Sequence, residues 1–457
     1  MEVAQLAVAM TGRNRYVDLL RATAIALVVV GHWLATSVAR QGGFLQGFDA
    51  LAAVPSAAWL TLLFQVIPVF FLAGGYANAA SWRSHQRRGG TWGSWLHGRA
   101  ERILRPTTVF IAAGFLVVAL AQLAGADPRV LVPAAWGVAF QLWFLPVYLV
   151  LLALTPALHV LHRRWGLWVV VAFAGVAAGV DALVLRSDAP ALGYLNYLLV
   201  WGVSFQLGFA WRDGTLTKTA WRPYALAVVG AGALVLLVTV GPFPVSMIGL
   251  PGARIDNTSP PSVALLAFAV AQAGVVLTLE APVTRWLQRP SAWACVVRAN
   301  LVIMTVYLWH MVPVIIVSPV LYLLPRLFAP TIGSLLWWAL RPLWIAVLAL
   351  VLLAIVLVLQ RFERPRGPVR PRLESTWRSW LLLTGLVPIG FALDRLAVAG
   401  FDPDGQLAIG ATAMFFLGIA LVAVSGMRGG NSPRAERRSA GTPNGTPAVR
   451  AGPRVRG

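Results

Sequence analysis

Along the chain, long apolar runs alternate with short polar or Pro/Gly-rich breaks. A helix crosses a bilayer with about 20 predominantly apolar residues. Runs of that kind fall near 17–39, 57–81, 107–126, 138–158, 167–185, 193–211, 223–241, 263–281, 299–323, 342–360, 379–397 and 406–426. Their apolar character is continuous, with no alternation at every second residue over short segments, which favours helices and argues against a β-barrel. The pattern predicts an all-α fold, a polytopic transmembrane helix bundle. Composition agrees: of 457 residues 58% are hydrophobic and 12% charged, with mean hydropathy +0.74. That leaves too little polar surface for a soluble globule of this size.

A net charge of +21 raises the question of nucleic acid, but the cations are sorted by loop. Counted alternately from the N-terminus, one set holds 29 of the 37 Lys and Arg. It comprises the segment before the first run, loops 82–106, 159–166, 212–222, 282–298 and 361–378, and the tail after 426. The intervening loops hold Arg40, Arg129, Arg186, Arg254, Arg326, Arg341 and Arg395. This asymmetry is the positive-inside pattern and predicts that both termini are cytoplasmic, with no nucleic-acid partner. The first apolar run is too long for a cleavable signal peptide and carries Asp18 and Arg21 at its start. An integral, multi-pass protein of a bacterial plasma membrane is expected. The single Cys295 excludes an intrachain disulfide and a CxxC metal or redox site; no metal is expected.

Residues 1–360 read as one helical core, 361–378 as a Pro- and Arg-rich linker, 379–426 as two additional transmembrane helices, and 427–457 as a disordered basic cytoplasmic tail. No internal repeat is evident.

Ionisable residues inside apolar runs are costly and are functional candidates by default. Of six histidines, only His32 and His310 lie deep in such runs, in VVVGHWLAT and VYLWHMVPV. Both runs start on the same side, so both imidazoles are expected near the bilayer midplane, where one cavity can hold them. Arg21 and His32 lie eleven residues apart, close to three helical turns, so they share a face at a separation of about 16 Å along the axis. That spacing suits a long ligand, anionic at one end and reactive at the other; an ion pair with Asp18 or snorkelling to the headgroups explains Arg21 equally well. In HGRAERILRP, Arg99, Arg102 and Arg105 recur every three residues and form a basic stripe suited to phosphates, although positive-inside anchoring accounts for it as well. Gly74 and Gly75 in PVFFLAGGYANAASW permit close helix approach, and Pro146 in LWFLPVYL frees a backbone carbonyl.

Taken in order, RYVDLLRATAIALVVVGHW, IPVFFLAGGY, RAERILRP, LWFLPVYL and YLWHMVPV resemble the motifs of the acyltransferase 3 family of integral membrane acyltransferases, over about residues 15–315. The resemblance implies a ten-helix acyltransferase-like core that moves an acyl group, commonly acetyl, from coenzyme A to hydroxyls of glycans, lipids or secondary metabolites. Acyl-CoA would be a donor substrate from the cytoplasm, with no bound cofactor. Matched by position, His32 becomes the catalytic histidine, Arg21 its partner, and Arg99 with Arg102, or Arg102 with Arg105, the donor-associated basic pair. Within that chemistry neutral His32 is expected to act as general base, with Tyr307 or His310 at the acceptor or oxyanion. A proton-coupled secondary transporter is the alternative that this many helices and two buried histidines also suit; the missing repeat and the position of Asp181, Glu280 and Asp394 near run ends count against it.

Overall fold

The computed structural model describes residues 14–41, 44–187, 189–249, 255–323, 330–363 and 376–427. Most of the expected 361–378 linker and nearly all of the basic tail lie outside these residues. The fold is an all-α polytopic helix bundle. Among the described residues, nine helices are long and apolar enough to cross a membrane, or up to eleven if each of two bent pairs is one span.

Helix α1 (Arg15–Ala35) begins where the Asn14 side chain accepts hydrogen bonds from the Tyr16 and Val17 amides. The end of the bundle where α1 begins is termed basal here, and the opposite end distal. At its distal end the chain turns into an antiparallel hairpin, β1 (Thr36–Gln41) and β2 (Phe44–Asp49), that pairs Thr36 with Asp49 and Gln41 with Phe44. The hairpin was not expected; Gly42-Gly43 between two short runs is its sequence signal. Short helical turns over 50–64 lead into α2 (Ile67–Arg87), followed by α3 (Trp92–Leu123), α4 (Pro128–Gly137), α5 (Phe144–Trp165) and α6 (Trp168–Arg186). Then come α7 (Leu195–Arg212), α8 (Trp221–Thr239), α9 (Val263–Thr278) and α10 (Glu280–Trp286).

Helix α7 is the centre of the bundle. Every residue from Val200 to Trp211 is buried, and its Asn196, Ser204 and Gln206 are tolerated because neighbouring helices, rather than lipid, surround them. Its approach to α2 is very close. A Cβ at Gly75 would lie 2.0 Å from the Phe205 carbonyl oxygen, and one at Gly208 would lie 2.2 Å from that of Leu72. Glycine at both positions lets the two backbones touch.

The run expected to form one helix over 299–323 is broken. Helix α11 (Pro290–Leu301) bends by 54° into α12 (Ile303–Trp309), and α13 (Val312–Leu323) starts afresh. Pro313 lacks the amide that would bond the Trp309 carbonyl and its ring clashes there, which accounts for the second break. Likewise α9 bends by 50° into α10. The bundle closes with α14 (Leu335–Glu363), α15 (Thr376–Ala399) and α16 (Ile409–Gly426). Leu382, Ile389, Leu393 and Leu396 of α15 are buried in the same apolar cluster as Phe110 of α3 and Leu145 of α5, so these last helices are built into the core.

Candidate active site

His32 sits in the last turn of α1, about 5 Å from its distal end at 1.5 Å per residue. The chain leaves the helix at Thr36 to enter β1. Several groups hold this end. The Trp33 carbonyl accepts from Trp344 Nε1 at 3.1 Å and from the Arg341 guanidinium at 3.5 Å. Arg341 also donates to the Thr36 carbonyl at 3.2 Å and to Ser37 Oγ at 3.2 Å, and it stacks 3.7 Å from the centre of the Trp337 ring. A buried cation on the last carbonyls of a helix complements its dipole. In the sequence Arg341 is an unremarked loop-side arginine, and only folding reveals it as the cap beside His32.

The two buried histidines meet. His32 Nδ1 lies 2.8 Å from His310 Nε2, and the rings stack with centroids 5.1 Å apart. The break between α12 and α13 delivers His310 to this position, where its carbonyl accepts from Trp33 Nε1 at 2.7 Å. His310 Nδ1 lies 2.7 Å from the Tyr307 carbonyl oxygen. A carbonyl only accepts, so His310 Nδ1 carries the proton. In neutral His310 the lone pair is then on Nε2, and His32 Nδ1 must donate to it. The relay leaves the lone pair of neutral His32 on Nε2.

His32 is half-buried and lines a distal cavity of about 1520 Å³, whereas His310 is fully buried behind it. Phe140 packs edge-on against the His32 ring, with centroids 5.1 Å apart. Tyr307 lines the same cavity, and its hydroxyl donates to the Gln141 carbonyl. Gln141 in turn donates from Nε2 to the Val138 and Leu308 carbonyls at 2.7 and 3.2 Å. The donors of Tyr307 and His310 are thus committed to protein carbonyls, and His310 acts on the cavity only through His32.

The basic residues lie apart from this centre. On α1 the cavity lining runs from Val28 to Ala35. Arg21 lies basal to it, over the Phe70 ring of α2 at 5.8 Å. Arg99 donates to the Ala77 carbonyl at 3.4 Å and lies 5.9 Å over the Trp95 ring; Arg102 is exposed and Arg105 half-buried. A second, small cavity of about 190 Å³ is lined by Arg83, Arg163 and Arg212 with His159, His162 and Asp213. Those arginines come from the basal ends of α2, α5 and α7, so linear spacing gave no hint of the cluster. Within it His162 Nε2 is 2.8 Å from Asp213 Oδ2. Burial pushes the Asp213 carboxyl upward, but hydrogen bonds from Thr215 and His162 outweigh it and hold the group below the ordinary carboxylate range. Among the described residues no group of three or more His, Cys, Asp or Glu forms a metal site.

A family model described as an acyltransferase domain, that of acyltransferase 3, matches residues 14–361. The chain belongs to the acyltransferase 3 family. The match covers His32, Arg21, the Arg99–Arg105 stripe, Tyr307 and His310, and stops before α15. No curated protein and no solved structure matches. Family membership together with the nine apolar helices found among the described residues makes this an integral membrane protein of acyltransferase type.

Proposed function

We propose that the protein is an integral membrane O-acyltransferase that moves an acyl group, acetyl in the simplest case, from acyl-CoA to a hydroxyl of a glycan, lipid or secondary metabolite. The observation that carries this reading is the histidine relay, which leaves the lone pair of neutral His32, a residue that lines a large cavity, on Nε2. An acceptor hydroxyl in the cavity gives its proton to His32 Nε2 while its oxygen attacks the thioester carbonyl. The tetrahedral intermediate then collapses, the C–S bond breaks, and the imidazolium returns the proton to the departing thiolate. An ester and free coenzyme A result. His310 is a positioning residue: it fixes the tautomer of His32 and, polarised by the Tyr307 carbonyl, stabilises the imidazolium that forms. The role is that of the orienting member of a hydrolase triad, with a neutral ring in place of a carboxylate.

Donor phosphates are assigned to the basal arginines, Arg99, Arg102 and Arg105 on α3 and Arg21 on α1. The pocket among Arg83, Arg163 and Arg212 is large enough for a single phosphate group and adds a second anion site at the same end. With the termini and these arginines in the cytoplasm, acyl-CoA approaches from the basal side and the acceptor meets His32 from the distal side.

The test is transfer of radiolabelled acetyl from acetyl-CoA by the full-length protein in lipid nanodiscs, with extracted envelope glycans, lipids and secreted metabolites as acceptors. Mass spectrometry of cells with and without the protein identifies which class carries the acyl increment. A folded His32→Ala protein is expected to lose at least ~100-fold in rate, the usual scale for removing a general base. Transfer at the wild-type rate by that variant would refute the mechanism.

A further inference from the structure

The family match ends at residue 361, yet one wall of the cavity that holds His32 comes from α15. Leu386, Val387, Gly390, Phe391 and Asp394 of that helix line it. The opposite face of α15 is locked into the core through Leu382, Ile389 and Leu393, so this wall is a fixed part of the cavity. The facing wall is α5, whose Val147, Val150 and Leu154 also line the cavity. The two helices come together beside Gly390, where an added Cβ would meet Pro146 at an ordinary van der Waals distance of 3.9 Å.

Along this seam the apolar side chains are open. Val387 and Phe391 are 57% and 63% exposed, and Val150 of the facing helix is 45% exposed. Both helices lie in segments long and apolar enough to cross a membrane, so what meets these side chains is hydrocarbon, either of the bilayer or of a ligand. The cavity is therefore continuous with a lateral apolar seam. Its volume of about 1520 Å³ also exceeds the roughly 300–1,000 Å³ typical of a single small-molecule site, which leaves room for an acceptor beside the acyl thioester of the donor.

Polar groups gather at one edge of the cavity. Tyr197 and Ser259 share a hydrogen bond at 3.0 Å, Asp256 accepts from the Thr258 amide and hydroxyl at 2.7 and 2.8 Å, and both Asp256 and Asp394 lie close enough to Tyr197 to act on it electrostatically. Two carboxylates beside Tyr197 suit the hydroxyls or amine of a polar head group.

We propose that α15 is the acceptor-selecting wall of this protein: the α5/α15 seam holds the hydrocarbon chain of a membrane-borne amphipathic acceptor, while the Asp394–Asp256 edge holds its head group with one hydroxyl at His32. The proposal rests on the acyltransferase reading and deepens it by naming the acceptor class. It also gives 379–426, which lies outside the family match, a function.

The test uses the full-length protein in nanodiscs with alkyl β-glucosides as probes. First, a dodecyl glucoside bearing a terminal diazirine is photolysed and labelled peptides are mapped by mass spectrometry. Labelling is expected within 383–398 and 146–154, and to fall at least tenfold with excess unlabelled dodecyl glucoside. Labelling spread evenly over lipid-facing helices such as α8, without competition, would overturn the proposal. Second, acetyl transfer from acetyl-CoA is compared across methyl, hexyl and dodecyl glucosides. A longer chain draws the probe into the bilayer whether or not a seam exists, so rates are compared at equal amounts of membrane-bound probe, and on that basis kcat/KM should rise severalfold from hexyl to dodecyl. Val387→Trp, which fills the seam, should remove most of that ratio without altering partition of the probe into the membrane, and Asp394→Asn should lower kcat/KM at every chain length. An unchanged ratio in Val387→Trp with transfer intact sinks the selecting wall and leaves the acyltransferase reading standing. Competed labelling confined to the seam, with no transfer to any glucoside, supports the seam and counts against acyl transfer.

Discussion

Replacing His310 with alanine tests the relay most directly. The substitution removes the acceptor of the 2.8 Å contact to His32 Nδ1 but leaves the backbone carbonyl that holds Trp33 Nε1. The opening end of the relay, the Tyr307 carbonyl, loses its donor as well. In the transition state His32 is cationic, so the lost interaction is a charge-assisted hydrogen bond, worth about 1.5–3 kcal/mol. That corresponds to roughly a 10- to 150-fold fall in kcat, with KM for acyl-CoA little changed because His310 is fully buried and reaches the cavity only through His32. His310→Gln, which can offer a carbonyl oxygen to Nδ1, should recover part of the loss. The assay is acetyl transfer in nanodiscs with folding checked by thermal melting, since emptying a buried site also destabilises. The double variant His32→Ala/His310→Ala should be no slower than His32→Ala alone, because members of one unit are not additive. Wild-type kcat in a folded His310→Ala protein, or losses that simply add in the double variant, would refute the relay.

Other consequences follow from particular contacts. Arg341→Met removes the guanidinium from the Trp33 and Thr36 carbonyls and Ser37 Oγ; both Tm and kcat should fall, and Arg341→Lys should recover only part because an ammonium lacks the planar fork. A melt and a rate equal to wild type in Arg341→Met would remove this residue from the site. Gly75→Ala drives a Cβ to 2.0 Å from the Phe205 carbonyl oxygen and should cost about 1–3 kcal/mol or more as overpacking; an unaltered Tm would mean that α2 and α7 part freely. For Asp213, whose folded carboxyl is held below the ordinary range, the stabilising contribution is present above about pH 4, the ordinary value, and is lost as the pH falls through the lower folded value. Asp213→Asn should therefore show a shallower fall of Tm below pH 4 than wild type, and identical pH profiles would contradict the assignment.

The all-α bundle was legible because bilayer helices must satisfy their backbone internally and carry apolar side chains all round, a demand written into every run of about 20 residues. Arg21 and His32 stood out for the same reason, as charge or imidazole where apolar residues are the rule, and the Arg99–Arg105 stripe stood out by its spacing of three in a cation-rich loop. The break near His310 was not legible, since the apolar pattern runs unbroken over 299–323 with Pro313 inside it. Other features depend on pairs far apart in the chain, and linear periodicity carries no record of those. The contact of His32 with His310 joins residues 278 apart, and its tautomer sense follows only from the Tyr307 carbonyl. Arg341 as a cap, the Arg83–Arg163–Arg212 cluster and the α15 wall likewise exist only after the helices pack. By itself the sequence determined which residues are costly in a membrane. The tertiary structure decided which of them are spent on each other and which face the cavity, because hydrogen-bond partners and cavity walls are set by three-dimensional packing.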